Sequence, residues 1–397
     1  MNTRFSDEDE AFRREVSDWL EAELSGDFRD VRGRGGPGDE HAMLDERRAW
    51  EKRLGEAGWT CVGWPREYGG RELPLSQQMI YYEEYARLGG PGRLGHIGEG
   101  LLGPTLIAFG SEEQKRRFLP GIQLGDAIWC QGYSEPNAGS DLANVQTRAR
   151  LEGGEWVIDG QKVWTSWAEW SDWCFVLCRT NAEATPKHRG ISYLLVPMRQ
   201  EGIEIRPIVQ ITGDSEFSEV FYNGARTEAE NVVGDVDGGW KVAMGTLAFE
   251  RGASTLGQQM LFQNELDEII AIAKANGAAG DRLIRQRIAD AWIGLRIQRY
   301  NALRMLSSEE VARTGSSREA MITKLFWATW HRNLGELAMD VLGAESEVTG
   351  GEPYELTRLQ RMYLFSRSDT IYAGSNEIQR NIIAERALGL PREPRPV

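Results

Sequence analysis

The chain has 397 residues, with 46 Lys and Arg against 60 Asp and Glu, and its formal net charge is -14. An acidic chain without a run rich in Lys and Arg argues against nucleic-acid binding, because contacts to phosphates supply most of that affinity. No apolar run reaches the roughly 18 residues of a membrane-spanning helix, and the charged first residues lack the apolar stretch of a secretory signal. The length predicts two or three domains.

The cysteines form neither a disulfide framework nor a zinc-binding spacing. They are Cys61, Cys130, Cys174 and Cys178. The last two lie in the apolar run WCFVLC, which is typical of buried free thiols. We therefore expect a cytoplasmic protein without a metal site.

The first 125 residues are predicted to be helical. Apolar residues recur there at intervals of three and four, and Ser6 with Asp9 has the spacing of a capping box. The predicted helices begin near Ser6, Met43, Ser76 and Ser111. The last of them is expected to end before Pro120, which cannot donate a backbone hydrogen bond.

One glycine-rich segment resembles a nucleotide-binding loop only in its spacing. Residues 33–38 read GRGGPG, which satisfies the G-x-G-x-x-G pattern of dinucleotide-binding proteins. That pattern needs a strand before it and a helix after it, and neither is predicted here. We interpret the segment as a flexible loop.

From about residue 126 the hydrophobic period changes from helical to strand-like. Seven short runs rich in β-branched and aromatic residues follow: AIWCQGY, NVQTRARL, EWVIDG, WCFVLC, ISYLLVP, IEIRPIV and EVFYN. Gly153 and Gly154 lie between two of these runs and predict a hairpin. Together the runs predict an antiparallel sandwich or barrel.

The chain becomes helical again from residue 237. Two long helical stretches are separated at residues 277–280, and further helices are predicted at about 317–342 and 376–388. The predicted fold class is therefore α+β. The predicted domains cover residues 1–125, 126–236 and 237–397.

The segment from Gln131 to Asp141, QGYSEPNAGSD, is the most informative polar stretch. Its small residues and the hydroxyls of Ser134 and Ser140 leave hydroxyls and backbone amides available to a polar, planar ligand. A plain turn would have the same composition, so this segment alone does not decide between the two interpretations.

Four motifs follow one another along the chain: FGSEEQKRRFLP, SEPNAGSD, GQKVWTS and IYAGSNEIQRNIIAE. With the change from helices to strands and back, the chain resembles the acyl-CoA dehydrogenases over essentially its whole length. The resemblance implies an N-terminal helical domain, a middle antiparallel β-barrel or sandwich domain and a C-terminal four-helix bundle. It also implies FAD, the α,β-dehydrogenation of an acyl-CoA thioester, and transfer of electrons to an electron-transferring flavoprotein.

The same resemblance implies roles for individual residues. Cofactor contacts are implied for Gln131, Tyr133, Ser134, Gly139, Ser140, Trp164, Thr165, Ser166, Ser375 and Glu377. Substrate contacts are implied for Ser140, Arg251, Ala373 and Gly374. An indole such as that of Trp164 is a suitable wall for a large, flat ring, although Trp164 taken alone is more typical of core packing.

The catalytic carboxylate is missing from its commonest position. Many members carry Glu before the Gly of the last motif, where this chain has Ala373. The candidate base is Glu250 in the segment LAFERG, because isovaleryl-CoA and long-chain acyl-CoA dehydrogenases present their Glu from the corresponding helix. Glu250 would remove the α-proton, while the amide of residue 373 would bind the thioester oxygen. The alternative is that Glu250 and Arg251 are an exposed helical pair.

Other departures leave the assembly and the reaction open. The R-x-x-F-G motif of the family is not recognisable near KANGAAGDR, and the later Q-x-x-G-G stretch reads MDVLGAE. A homodimer or homotetramer is expected, and a heteromer whose partner supplies the missing groups is the alternative. The alternative functions are a non-catalytic FAD-binding subunit of a heteromeric dehydrogenase, and a flavin oxidase or monooxygenase. The small side chain of Ala373 is compatible with a bulky or branched acyl group.

Overall fold

The computed structural model describes residues 5–249, 253–306, 318–350 and 355–392. Helices come first: α1 (Asp7–Ser25), α2 (Leu44–Glu56), α3 (Leu75–Arg87), α4 (Gly103–Phe109) and α5 (Glu112–Gln123). The strands follow: β1 (Trp129–Gly132), β2 (Arg148–Glu152), β3 (Glu155–Ser166), β4 (Trp173–Arg179), β5 (Ile191–Pro197), β6 (Ile203–Ile208) and β7 (Phe217–Glu228). The last helices are α6 (Gly239–Phe249), α7 (Ala253–Ala275), α8 (Arg282–Leu306), α9 (Arg318–Leu342), α10 (Arg358–Phe365) and α11 (Asn376–Ile382).

The predicted start of α1 is confirmed, but the predicted end of α5 is wrong. Ser6 accepts a hydrogen bond from the backbone N–H of Asp9, whose carboxylate accepts one from the backbone of Ser6. Helix α5 runs through Pro120 to Gln123. The missing N–H of Pro120 costs one helical hydrogen bond, yet the added turn buries Ile122 in the core.

The strands form one sheet in the order β1-β4-β2-β3-β7-β6, with β5 paired to β4. The predicted hairpin is confirmed, since β2 and β3 pair in antiparallel fashion across Gly153 and Gly154, which have φ values of 63° and 93°. Most other pairs are antiparallel as well. Strand β4 differs, because it lies parallel to β1 along four residue pairs and parallel to β2 at one.

The sheet is covered on one face by N-terminal helices. Trp129 and Trp173 on β1 and β4 stack at 5.6 Å between ring centroids, and Phe118 of α5 packs edge-on against both. This packing accounts for two of the 14 tryptophans. Helices α7 to α10 pack around a separate apolar core.

The N-terminal and C-terminal helices also meet each other. A Cβ atom at Gly257 of α7 would lie 2.3 Å from Cβ of Tyr82 on α3, so only glycine permits this approach of the two helices. The fold is α+β, as predicted. We propose domain boundaries at residues 126 and 237, since both lie in the segments that join helices to strands.

The segment GRGGPG is a loop, as predicted. A short 3-10 turn precedes it rather than a strand. Its Gly33 N–H donates to the carbonyl of Gly89 at 2.7 Å, and its Arg34 carbonyl accepts from the N–H of Gly92 at 2.9 Å. Across the described ranges, no helix combines the length and the apolar character needed to span a bilayer.

Candidate active site

The polar segment after β1 is held by a buried ion pair that the sequence analysis did not identify. Glu135 accepts hydrogen bonds from Lys162 Nζ at 2.8 Å and from the backbone N–H groups of Gln146 and Thr147 at 2.6 and 2.8 Å. Lys162 is fully buried on β3. Burial by itself would raise the pKa of Glu135, but the Lys162 ammonium and these hydrogen bonds hold that pKa below its ordinary value. A Lys inside a strand-like run, with Glu in the neighbouring polar motif, is the signal that could have revealed the pair.

The same lysine joins two of the sequence motifs. Lys162 Nζ also donates to the backbone carbonyl of Tyr133 at 3.1 Å, and the N–H of Val163 donates to the carbonyl of Ser134 at 2.9 Å. The motifs SEPNAGSD and GQKVWTS therefore lie side by side.

The predicted cofactor residues of the first motif differ in exposure. Gly139 and Ser140 are exposed, and a Cβ atom at Gly139 would meet no other atom within 4 Å. Gln131 and Ser134 are half-buried. The ring of Tyr133 is in the core, packed edge-on against Phe175 and Tyr193.

Trp164 is exposed in an irregular part of β3. The pairing of β3 with β7 changes register between Lys162 and Thr165, and Trp164 has a φ of 60° there. A positive φ is uncommon for a bulky residue and indicates that the surrounding structure imposes it. The indole is 58% exposed and packs edge-on against Phe217 at 6.1 Å. The bulge thus presents a flat aromatic surface beside the polar loop.

The two residues after Trp164 lie in different environments. Thr165 is fully buried, and its hydroxyl has no hydrogen-bond partner within the part of the chain that the structure describes. Ser166 is half-buried.

The last motif forms a strained turn before α11. Ala373 and Gly374 have φ values of 51° and 83°. Gln379 of α11 donates from Nε2 to the carbonyls of both residues, at 3.1 and 3.4 Å. Ser375 caps α11 by accepting a hydrogen bond from the N–H of Ile378, so its hydroxyl has a structural partner. The turn thereby exposes residue 373 with its backbone in a defined orientation.

Glu377 lies on the exposed surface of α11, with Arg380 at 3.5 Å. Its pKa is lowered by hydrogen bonds to its own backbone N–H and to the Ser375 side chain at the N-terminus of the helix. The carboxylate is therefore ionised at neutral pH.

Glu250 and Arg251 lie outside the described residues, directly after the last described residue of α6. Near its end, α6 is joined to α4 through the hydroxyls of Thr246 and Thr105, which are 2.8 Å apart and buried. A Cβ atom at Gly239, at the start of α6, would lie 2.5 Å from the backbone of β5. Helix α6 is therefore fixed against both the sheet and the N-terminal helices.

Three family models match consecutive parts of the chain. They are the acyl-CoA dehydrogenase N-terminal domain at residues 6–126, the middle domain at 130–224 and the C-terminal domain at 237–388.

Relatives and solved structures match over nearly full length. The acyl-CoA dehydrogenase IpdE1 of Mycobacterium tuberculosis is 56% identical over 384 residues, which cover 97% of this chain and 98% of that protein. A structure described as the Tcur3481-Tcur3483 steroid ACAD has a TM-score of 0.86 and 32% identity, and covers 99% of this chain and 100% of its own. The ChsE4-ChsE5 complex from Mycobacterium tuberculosis has a TM-score of 0.82 and 30% identity, with coverage of 99% and 100%.

Proposed function

Because this chain belongs to the acyl-CoA dehydrogenase family, we propose that it dehydrogenates the α,β-bond of an acyl-CoA thioester with FAD as cofactor and Glu250 as base. The matches to all three family domains make it an oxidoreductase of this type. The observation that carries the rest is the exposed Trp164 beside the polar loop of the first motif. A flat aromatic surface next to polar groups supports the proposal of a flavin ring at this place.

The residues around β1 and β3 fit FAD. The exposed indole of Trp164 offers an apolar wall of the size of a flavin ring, and the half-buried Ser166 follows two residues later on β3. The exposed residues Gly139 and Ser140 leave room for a pyrophosphate beside the loop. The remaining proposed contacts are Gln131, Tyr133, Ser134, Thr165, Ser375 and Glu377. When bound, FAD would accept the hydride from the β-carbon.

The protein's own part is to remove the α-proton and to bind the thioester oxygen. Glu250 would take the proton, and its position after the anchored helix α6 supports this role. The amide of Ala373 would donate to the thioester oxygen, which stabilises the charge that develops as the proton leaves. Arg251 and Ser140 are proposed to bind other parts of the substrate, and Gly374 to lie beside the thioester.

We propose a bulky, steroid-type acyl group as the substrate class. One structural neighbour is described as a steroid ACAD at 32% identity. Ala373 supports the proposal, because a methyl group stands where many members of the family carry a glutamate side chain. An acyl group with fused rings could use that space.

The partners are proposed on the same grounds. Electrons would pass to an electron-transferring flavoprotein. Two structural neighbours are described by pairs of subunits, Tcur3481-Tcur3483 and ChsE4-ChsE5. This favours a heteromer over the homodimer or homotetramer expected from the family at large.

Substitution of the proposed base tests the mechanism. Glu250→Gln keeps the size of the side chain and removes its basicity. We expect the variant to retain bound FAD but to lose at least about 1,000-fold of the rate at which an acyl-CoA bleaches the flavin absorbance under anaerobic conditions. Glu112→Gln, at an exposed carboxylate of α5, is the matched control and should bleach at the wild-type rate.

Each other outcome has a defined meaning. Full activity of the Glu250→Gln variant would exclude Glu250 as the base. A wild-type chain that is yellow but inert toward a panel of acyl-CoAs would support the non-catalytic subunit instead. Rapid consumption of oxygen with the same panel would support an oxidase or monooxygenase.

A further inference from the structure

A buried histidine connects three helical segments beneath the last motif. His331 of α9 contacts Asp369 through Nδ1 at 2.6 Å and Glu265 of α7 through Nε2 at 3.0 Å. Its ring also stacks on Phe262, with centroids 4.6 Å apart. Neither the sequence motifs nor the proposed mechanism assigns a role to this cluster.

The charge of His331 follows from its two carboxylate partners. Burial alone would lower the pKa of His331, but the two carboxylates of Glu265 and Asp369 raise it to about 10. The histidine is therefore an imidazolium that donates from both ring nitrogens. Lys324 adds a second cation, since its ammonium donates to the backbone carbonyl of Asp369. Each ring nitrogen of the buried imidazolium thus has a carboxylate partner, which makes burial of this charge tolerable.

Asp369 connects the cluster to the last motif. Its second carboxylate oxygen accepts a hydrogen bond from the hydroxyl of Tyr372 at 2.7 Å. Tyr372 directly precedes Ala373, whose amide is the proposed donor to the thioester oxygen. The imidazolium is therefore connected to that amide by two hydrogen bonds, His331 to Asp369 and Tyr372 to Asp369, and by the peptide bond between Tyr372 and Ala373.

The turn needs such anchoring because its backbone is strained. A left-handed conformation is unfavourable at a residue with a side chain, such as Ala373, and persists only where the surroundings enforce it. Gln379 holds the turn from the side of α11. The hydrogen bond from Tyr372 to Asp369 holds the residue directly before Ala373.

We infer that His331 is a positioning residue for the dehydrogenation, which orients the amide of Ala373 through Asp369 and Tyr372. The inference rests on the proposed function, because it assigns the amide of residue 373 to the thioester oxygen. A group that stabilises developing charge must be held in place before the reaction, and an error of about 1 Å can cost on the order of 100-fold in rate.

The test compares His331→Gln with Glu268→Gln. The control removes a different ion pair of α7, the one with Arg358 of α10. Amide hydrogen exchange over residues 369–374 is measured by mass spectrometry on both proteins. The rate of α-proton exchange of a bound acyl-CoA in D2O, kcat and KM are measured beside it.

For His331→Gln we expect faster amide exchange in that segment, together with a loss of about 10- to 100-fold in α-proton exchange and kcat. KM should stay within about threefold, because the contacts to the rest of the substrate are unchanged. Glu268→Gln should match the wild type in all four measurements. Tyr372→Phe, at a side chain near the surface, is the second variant if His331→Gln does not fold, and it should lose about fivefold or more in α-proton exchange.

The outcomes separate this inference from the proposed function. If none of the acyl-CoAs bleaches the flavin of the wild-type protein, the proposed function itself is contradicted. An active wild type with faster amide exchange in the variants, but unchanged α-proton exchange and kcat, reduces His331 to a structural residue and overturns the inference. Unchanged amide exchange overturns it as well.

Discussion

Two carboxyl groups with raised pKa values lie where the N-terminal domain meets the sheet. Glu40 is buried, and its backbone N–H donates to Asp214 Oδ2 at 2.5 Å. Burial and the neighbouring carboxylates raise the pKa of Glu40 well above its ordinary value, and burial together with Asp214 raises that of Glu216 to about 7. The backbone carbonyl of Glu216 accepts from Trp167, so the cluster lies next to the segment that presents Trp164.

Glu216→Gln should change how stability depends on pH. A carboxyl group whose pKa is raised in the folded state binds its proton more tightly there than in the unfolded chain. The stability that this tighter proton binding adds is complete below the unfolded pKa of about 4.5. It decreases as the pH rises and is lost above about 7. We expect the variant to unfold with nearly the same free energy as the wild type near pH 4 and to be more stable by about 3 kcal/mol near pH 8. Denaturant titrations at both values measure this, and an identical pH dependence would contradict it.

Strand β3 illustrates what an element contributes to the site. It holds Lys162 in the core and Trp164 on the surface, and the register change between them reverses the exposure that simple alternation would produce. Lys162 joins this strand to the loop after β1. The proposed flavin wall and the polar loop are thus positioned by the same strand.

A double-mutant cycle on the buried ion pair tests this role. Lys162→Met leaves Glu135 buried without its cation, and should lower the free energy of unfolding by about 3–5 kcal/mol. In the double variant Glu135→Gln, Lys162→Met, no charge remains buried, so the loss should be at least about 2 kcal/mol smaller than the sum of the single losses. Denaturant unfolding of the four proteins measures the coupling. Additive losses would show that the two side chains act independently.

At the scale of the whole molecule, α8 has an exposed apolar stripe. Ile293, Ile297 and Tyr300 recur at helical spacing and are 49%, 42% and 50% exposed. A row of large apolar side chains in water is typical of an interaction surface. We expect this stripe to be covered by another subunit of the same family.

Ile297→Glu should therefore weaken the assembly. A charge buried in an apolar interface costs about 2 kcal/mol or more, which is roughly a 30-fold rise in the dissociation constant. Sedimentation of the wild type and the variant at several concentrations measures it, with Glu112→Gln as the control. An unchanged mass distribution would place the interface elsewhere, and a wild type that is monomeric by itself would support the heteromer.

A feature could be predicted from the sequence when the residues that form it lie close together along the chain. The capping box at Ser6 and the hairpin at Gly153 were predictable, because their partners lie within a few residues. The end of α5 was not, because the burial of Ile122 outweighs the local preference of Pro120. The cluster around His331 was equally hidden, since its carboxylates lie 66 and 38 residues away along the chain.

The sequence by itself determined the order of helices and strands, the family and the motifs around which a site could form. These properties depend on hydrophobic period, turn residues and short motifs, all of which are read from neighbouring positions. Only the tertiary structure decided that Lys162 pairs with Glu135, that Trp164 is exposed and that His331 supports the turn at Ala373. Packing selected these partners, because a buried charge or a strained backbone persists only where distant parts of the chain meet and stabilise it.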